Sequence, residues 1–100
     1  MRLSEFLTDV GHPVAYYPKL CPLLGGVQPT LFFCQLLYWY GKERGENGEI
    51  YKTMEQITQE TGLIRSEQET ARRLLKQRGL LTERYARLDH RMYYRIDLDV

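Results

Sequence analysis

Polar and charged side chains between residues 65 and 76 have the chemistry needed to contact duplex DNA. On a helix over 66–78, at 100° per residue, Ala71, Leu74 and Leu75 fall on one face, which must pack against the domain. The opposite face and its flank hold Arg65, Ser66, Glu69, Thr70, Arg72, Arg73 and Lys76. Arginine reads guanine edges through two hydrogen bonds, serine and threonine reach bases or phosphates, and a carboxylate accepts from the cytosine amine. The pattern predicts a face that enters the major groove.

A second group of basic side chains follows within eight residues, opposed by Glu83 and Asp89. Its members are Arg84, Arg87, His90 and Arg91. Beside a helix that ends in basic residues, they place positive charge along one side of the fold, where it would bind phosphates of any sequence. The alternative is a merely solvated face, on which Glu69 forms a local ion pair with Arg72 or Arg73.

The sequence contains no pattern of catalytic residues. There is no glycine-rich phosphate loop and no nucleophile motif, and His12 and His90 have no carboxylate partner at an informative spacing. Cys21 and Cys34 lie 13 residues apart without a CxxC pair, whereas a zinc site needs four well-spaced ligands. We therefore expect neither an enzyme nor a cofactor, and cysteines that pack in the core in a reducing cytoplasm.

The charge balance shows that bulk charge does not drive DNA binding. A net charge of +1 arises from 14 basic and 13 acidic residues, so any DNA contact depends on local clustering. Hydrophobic residues make up 43% and charged residues 27%, which is typical of a soluble globular protein. The longest apolar run, 31–40, is about half the length that crosses a bilayer, and the N-terminus lacks signal-peptide features. We expect a cytoplasmic protein without a membrane partner.

Two capping-box patterns predict the helices that position the basic face. TMEQ at 53–56 opens a helix that stops at Gly62, and SEQE at 66–69 opens one that runs to Arg78 and closes at Gly79. The four residues GLIR join them, with glycine at the turn, as in a helix-turn-helix.

Strand patterns surround this helix pair. Residues 49–52 form a short strand candidate, 80–85 a second and 92–98 a third, with a turn at 86–91. In the third, Met92, Tyr94, Ile96 and Leu98 alternate with polar and tyrosine side chains. A helix-turn-helix followed directly by a hairpin is the winged-helix order. The predicted fold class is mostly α with a small β-hairpin (α+β).

One apolar helix anchors the predicted domain, which spans 1–100 with an N-terminal extension of short helices (1–26) and a core (27–100). Pro29 opens this helix over 30–40, and because it is apolar nearly all round, it is either central or covered by a second chain in a homodimer. Upstream, Ser4 caps a short helix, and Pro18 starts another that Pro22 shortens or distorts. The predicted core comprises Leu31, Phe32, Leu36, Trp39, Ile57, Ala71, Leu75 and Ile96.

Three segments carry a resemblance to a known family. The run YKTMEQITQETGLIRSEQETARRLLKQRGLL resembles the winged-helix domain at the front of phage and plasmid replication proteins of the replisome-organiser type. The closing RLDHRMYYRIDLD resembles that family's wing and last strand, and LLGGVQPTLFFCQLLYW its first core helix. The resemblance covers about residues 16–98. It implies a phage or bacterial origin and recognition of origin-type or operator DNA, although Glu67 and Glu69 stand where the family often has basic residues.

Two functions follow from these patterns. The first is a module that binds double-stranded DNA in replication initiation or transcription control. The second is a protein-interaction winged helix, with a partner in the replication machinery or in a host defence complex of CRISPR type that it would inhibit. Salt separates them, because binding through several phosphates weakens steeply as salt rises and binding through an apolar interface does not.

Overall fold

A computed structural model of the chain describes residues 2–9, 13–40, 42, 48–87 and 91–99, without the side chains of Thr8, Asp9 and Arg91. Six helical segments and three strands follow in chain order. They are α1 (Leu3–Asp9), a 3-10 turn (Pro18–Leu20), α2 (Cys21–Leu24), α3 (Val27–Tyr40), β1 (Ile50–Tyr51), α4 (Met54–Thr61), α5 (Arg65–Gln77), β2 (Leu81–Ala86) and β3 (Arg91–Ile96). The described part is mostly helical with one small antiparallel sheet, in agreement with the predicted α+β class.

Helix α3 occupies the centre and packs on α4, α5, β1 and β3. It begins at Val27, three residues earlier than predicted, because Pro29 falls within the first turn, where helical N–H groups have no partner to lose. The Thr30 hydroxyl donates to the Gly26 carbonyl at 2.7 Å. Gly25, with φ of 101°, ends α2 in the left-handed region. A Cβ there would lie 3.2 Å from Leu74 of α5, so the bend between α2 and α3 packs closely on α5.

The α4 cap is the predicted capping box. Gln56 N donates to the Thr53 hydroxyl at 3.1 Å, and Thr53 N donates to the Gln56 side chain at 2.9 Å. The predicted capping box at Ser66 is wrong, because α5 begins one residue before Ser66. The Glu67 carboxylate instead accepts from Ile64 N at 2.9 Å, which satisfies the amide just before the helix.

The sheet has the strand order β1-β3-β2, and both pairings are antiparallel. Tyr94 and Ile96 point into the core as predicted. Leu98 does not, because β3 ends at Ile96 and Leu98 is exposed. After Ile96, Asp97 N still donates to the Leu80 carbonyl across the sheet, and the chain then bends at Leu98, where Asp99 N donates to the Asp97 side chain.

The predicted core is confirmed as one contiguous cluster. Its buried members from the prediction are Phe32, Leu36, Ile57, Ala71, Leu75 and Ile96. Leu31 and Trp39 pack against this cluster while remaining partly exposed. In the described ranges, no single helix is long and apolar enough to span a bilayer, although the bent pair Pro18–Leu24 and Val27–Tyr40 passes the same length and composition test.

Candidate nucleic-acid interface

A buried glutamine fixes the angle between α4 and α5. Gln68 is fully buried, and its Nε2 lies 3.1 Å from the Met54 carbonyl, 2.8 Å from the Thr58 hydroxyl and 2.9 Å from the Leu63 carbonyl. The Thr58 hydroxyl in turn donates to the Leu63 carbonyl at 2.8 Å. The Gln68 side chain, which belongs to α5, thus contacts the start of α4, the middle of α4 and the turn between the two helices. A helical wheel alone places Gln68 only at the edge of the packed face, because its three partners lie on a separate helix and its connecting turn.

The outward face of α5 presents the predicted polar residues to solvent. Ser66, Glu69, Arg73 and Lys76 are exposed and Thr70 is half-buried. Glu69 accepts from Arg65 Nε at 3.1 Å, and both side chains are mainly exposed. This is a local ion pair, as the alternative interpretation expected, but its cation is Arg65 rather than Arg72 or Arg73. In the part of the chain that the structure describes, Arg73 forms neither a hydrogen bond nor an ion pair.

Arg72 turns away from this face and joins α5 to β2. Its guanidinium donates two hydrogen bonds to the Glu83 carboxylate, at 2.8 and 2.7 Å, and both side chains are largely buried. Lys76 approaches the same carboxylate at 3.5 Å while remaining about half exposed. Burial alone would raise the pKa of Glu83, but the hydrogen bonds and charge of Arg72 outweigh it and hold that pKa below its usual value. Glu83 therefore stays ionised and neutralises one of these two cations.

The predicted basic residues of the hairpin differ in how freely they can reach phosphates. Arg84 donates to the Glu49 carboxylate at 2.9 and 3.1 Å and lies over the Tyr93 ring, 4.4 Å from its centroid. Arg87, immediately after β2, is exposed. His90 and the side chain of Arg91 lie outside the described residues. An acid distant in sequence thus holds Arg84, and no local spacing indicated that contact.

The structure contains a cleft beside α3 that was not predicted from the sequence. It has a volume of 780 Å³ and is lined by Pro13, Val14, Ala15, Tyr16, Tyr17, Cys34, Gln35, Leu37, Tyr38, Trp39, Gln59 and Glu60. At its polar end, the Glu60 carboxylate accepts from Gln35 at 2.6 Å, Trp39 at 2.8 Å and Lys52 at 2.9 Å. The Lys52 ammonium also lies 3.6 Å from the Trp39 ring centroid. Burial would raise the pKa of Glu60, but these hydrogen bonds lower it overall.

The comparisons with other proteins do not bear on this site. Comparisons of the chain with models of protein families, with curated proteins and with solved structures find no match. Among the described side chains, no three histidine, cysteine, aspartate or glutamate residues converge as metal ligands would.

Proposed function

We propose that this chain is a winged-helix module that binds double-stranded DNA through the outward face of α5 and through its β2–β3 hairpin. The order of helix, strand, two helices and hairpin, with strand order β1-β3-β2, supports this fold assignment. The 13 residues of α5 span about 20 Å, and B-DNA's major groove, about 12 Å wide, admits a helix. The observation on which the proposal depends is that Arg73 is exposed on that face and has no partner among the described residues, whereas Arg72 is held by Glu83.

Ion pairs within the domain reduce the number of predicted side chains that are available to contact DNA. Arg73 is the side chain placed to read a base edge, with Ser66 and Thr70 nearby to reach bases or phosphates. Lys76 and Arg87 supply phosphate contacts, together with the predicted His90 and Arg91. Among the remaining predicted contacts, Arg65, Arg72 and Arg84 are already bound to carboxylates and contribute less. About three to four phosphate contacts remain, which gives a logarithmic salt slope of roughly −3.

The biological role is proposed from the resemblance to phage and plasmid replication proteins. A module of this kind would act in the cytoplasm, in replication initiation or transcription control on phage or plasmid DNA. Its near-neutral net charge means that affinity depends on the few exposed cations rather than on bulk attraction.

Replacing Arg73 with alanine tests the proposal. Loss of a bidentate contact to guanine costs about 1–3 kcal/mol, so we expect specific binding to fall about tenfold or more. Lys42→Ala is the matched control, because it also removes one exposed positive charge. The Lys42 ammonium lies over the Tyr38 ring at the cleft, and not on the face of α5. Fluorescence anisotropy on selected duplexes measures both variants. Equal losses for the two variants, or no loss for Arg73→Ala, would contradict the proposed role of α5.

A protein-interaction module is the second candidate, and the apolar surface near the N-terminus favours it. Leu3, Phe6 and Leu7 lie at helical spacing on α1, with exposures of 70%, 48% and 59%. The cleft also exposes Tyr16 and Tyr38 beside the half-buried Trp39. A partner from the replication machinery, a host defence complex or a second copy of the chain would bury such surface. If this candidate holds, Phe6→Ser disrupts a protein complex, duplex DNA does not bind, and Arg73→Ala has no effect.

A further inference from the structure

The outward face of α5 carries one carboxylate between two arginines. Glu69 lies four residues after Arg65 and four before Arg73, so the three side chains are neighbours along one face of the helix. Arg65 Nε donates to Glu69 Oε1 at 3.1 Å. Glu69 is 53% exposed, and in the described part of the chain its Oε2 has no hydrogen-bond partner. A carboxylate oxygen that can accept a hydrogen bond is therefore present on the surface proposed to meet DNA.

This carboxylate is costly near phosphates unless its charge is compensated. DNA phosphates repel Glu69, and the repulsion is weakly screened at distances shorter than the Debye length, about 8–10 Å. Arg65 supplies the compensation, and Arg73 adds a second positive charge, so the three side chains together carry a net positive charge. The group can therefore enter a groove as a whole while Glu69 keeps an oxygen available to accept a hydrogen bond.

Only two major-groove edges present a donor to such an oxygen, namely the N4 amine of cytosine and the N6 amine of adenine. In adenine the N7 acceptor lies beside N6, so the second carboxylate oxygen would face another lone pair. Guanine offers two acceptors, and thymine offers an acceptor and a methyl group. Cytosine is the base whose edge a carboxylate tolerates best.

We infer that Glu69 is a specificity-determining residue that selects cytosine, near a guanine read by Arg73. This inference rests on the proposed function. Four helical residues advance about 6 Å, and base pairs are about 3.4 Å apart. With the helix aligned along the groove, the cytosine and the guanine lie up to about two base-pair steps apart. Arg65 is a positioning residue that orients the carboxylate.

Glu69→Gln provides the test, because glutamine pairs with N6 and N7 of adenine. Selection from randomised duplexes compares the full-length wild type, Glu69→Gln and the control Glu55→Gln, which removes an exposed carboxylate from α4. We expect cytosine at one position for the wild type and Glu55→Gln, and adenine there for Glu69→Gln, with the Arg73 guanine retained. Duplexes that differ only at this position should change their affinity ratio about tenfold or more.

Three results would overturn the inference. Unchanged base preferences in Glu69→Gln would show that Glu69 reads no base. Tighter binding of Glu69→Gln to all duplexes alike would show that Glu69 only repels phosphates. Both results leave the proposed DNA binding in place, because they require the protein to bind duplexes. Failure of the wild type to bind any duplex would instead refute the proposed function, and this inference with it.

Discussion

Replacing Glu83 with glutamine tests whether the ion pair between α5 and β2 holds α5 against the sheet. The substitution keeps the shape of the side chain but leaves the Arg72 guanidinium without its carboxylate. The two side chains are only 17% and 11% exposed, and without Glu83 the guanidinium keeps the Tyr94 ring, 5.9 Å from its centroid, and the charge attraction of the exposed Glu69. Arg72 thus becomes a largely buried cation with little compensation.

Removal of one partner from a buried pair costs about 3–5 kcal/mol. Both side chains of this pair keep some contact with water, so we expect the low end, about 3 kcal/mol. For a domain of this size that corresponds to a fall in Tm of roughly 12–24 °C. Glu69→Gln is the matched control, because it breaks the exposed pair with Arg65 and should cost less than about 1 kcal/mol.

The stability difference between the wild type and Glu83→Gln should decrease at low pH. The pKa of Glu83 is lowered in the folded chain, because Arg72 outweighs the effect of burial. The pair therefore stabilises the fold fully above the unfolded pKa of about 4.3, and this stabilisation is lost as pH falls through the lower folded value. Thermal melts followed by circular dichroism should show the difference between wild type and Glu83→Gln shrinking below about pH 4. A Glu83→Gln variant as stable as the wild type at pH 7 would refute the reasoning.

Two further predictions concern buried polar and thiol groups. Gln68→Leu should lower the free energy of unfolding by about 1 kcal/mol, because the Met54 and Leu63 carbonyls and the Thr58 hydroxyl lose their donor, while removal of the unsatisfied buried Oε1 of Gln68 offsets part of the loss. A urea unfolding curve that matches the wild type would contradict this. Burial raises the pKa of the Cys34 thiol, which is only 5% exposed, so iodoacetamide at pH 8 should modify the half-buried Cys21 first and Cys34 only after unfolding. Equal labelling rates in the native protein would argue against this packing.

The helices and strands could be predicted because their signals are local. The capping box at Thr53 and Gln56 and the glycine at 62 bound α4 as expected, since each contact spans only a few residues. The start of α5 was misplaced by one residue, because Glu67 satisfies the Ile64 amide and the helix needs no cap at Ser66. The end of β3 was missed because alternation alone does not reveal the bend at Leu98 that follows the strand.

The candidate interface was predicted less completely, because ion pairs depend on tertiary contacts. Arg72 and Glu83 lie 11 residues apart on a helix and a strand, and Arg84 and Glu49 lie 35 apart. A helical wheel places Arg72 on the flank of the outward face, but it does not show that a strand brings a carboxylate to that flank. Arg73 was correctly predicted to be exposed, because its exposure depends only on its own position around the helix.

The most direct test of DNA binding is a titration of a labelled duplex with the wild-type chain at two salt concentrations. Anisotropy at about 50 mM and 200 mM salt gives the logarithmic salt slope. With about three to four phosphate contacts, we predict a slope near −3, so affinity should fall roughly 60-fold over this fourfold rise in salt. No measurable binding at about 50 mM salt, where phosphate contacts are strong, would contradict the proposal and favour a protein partner.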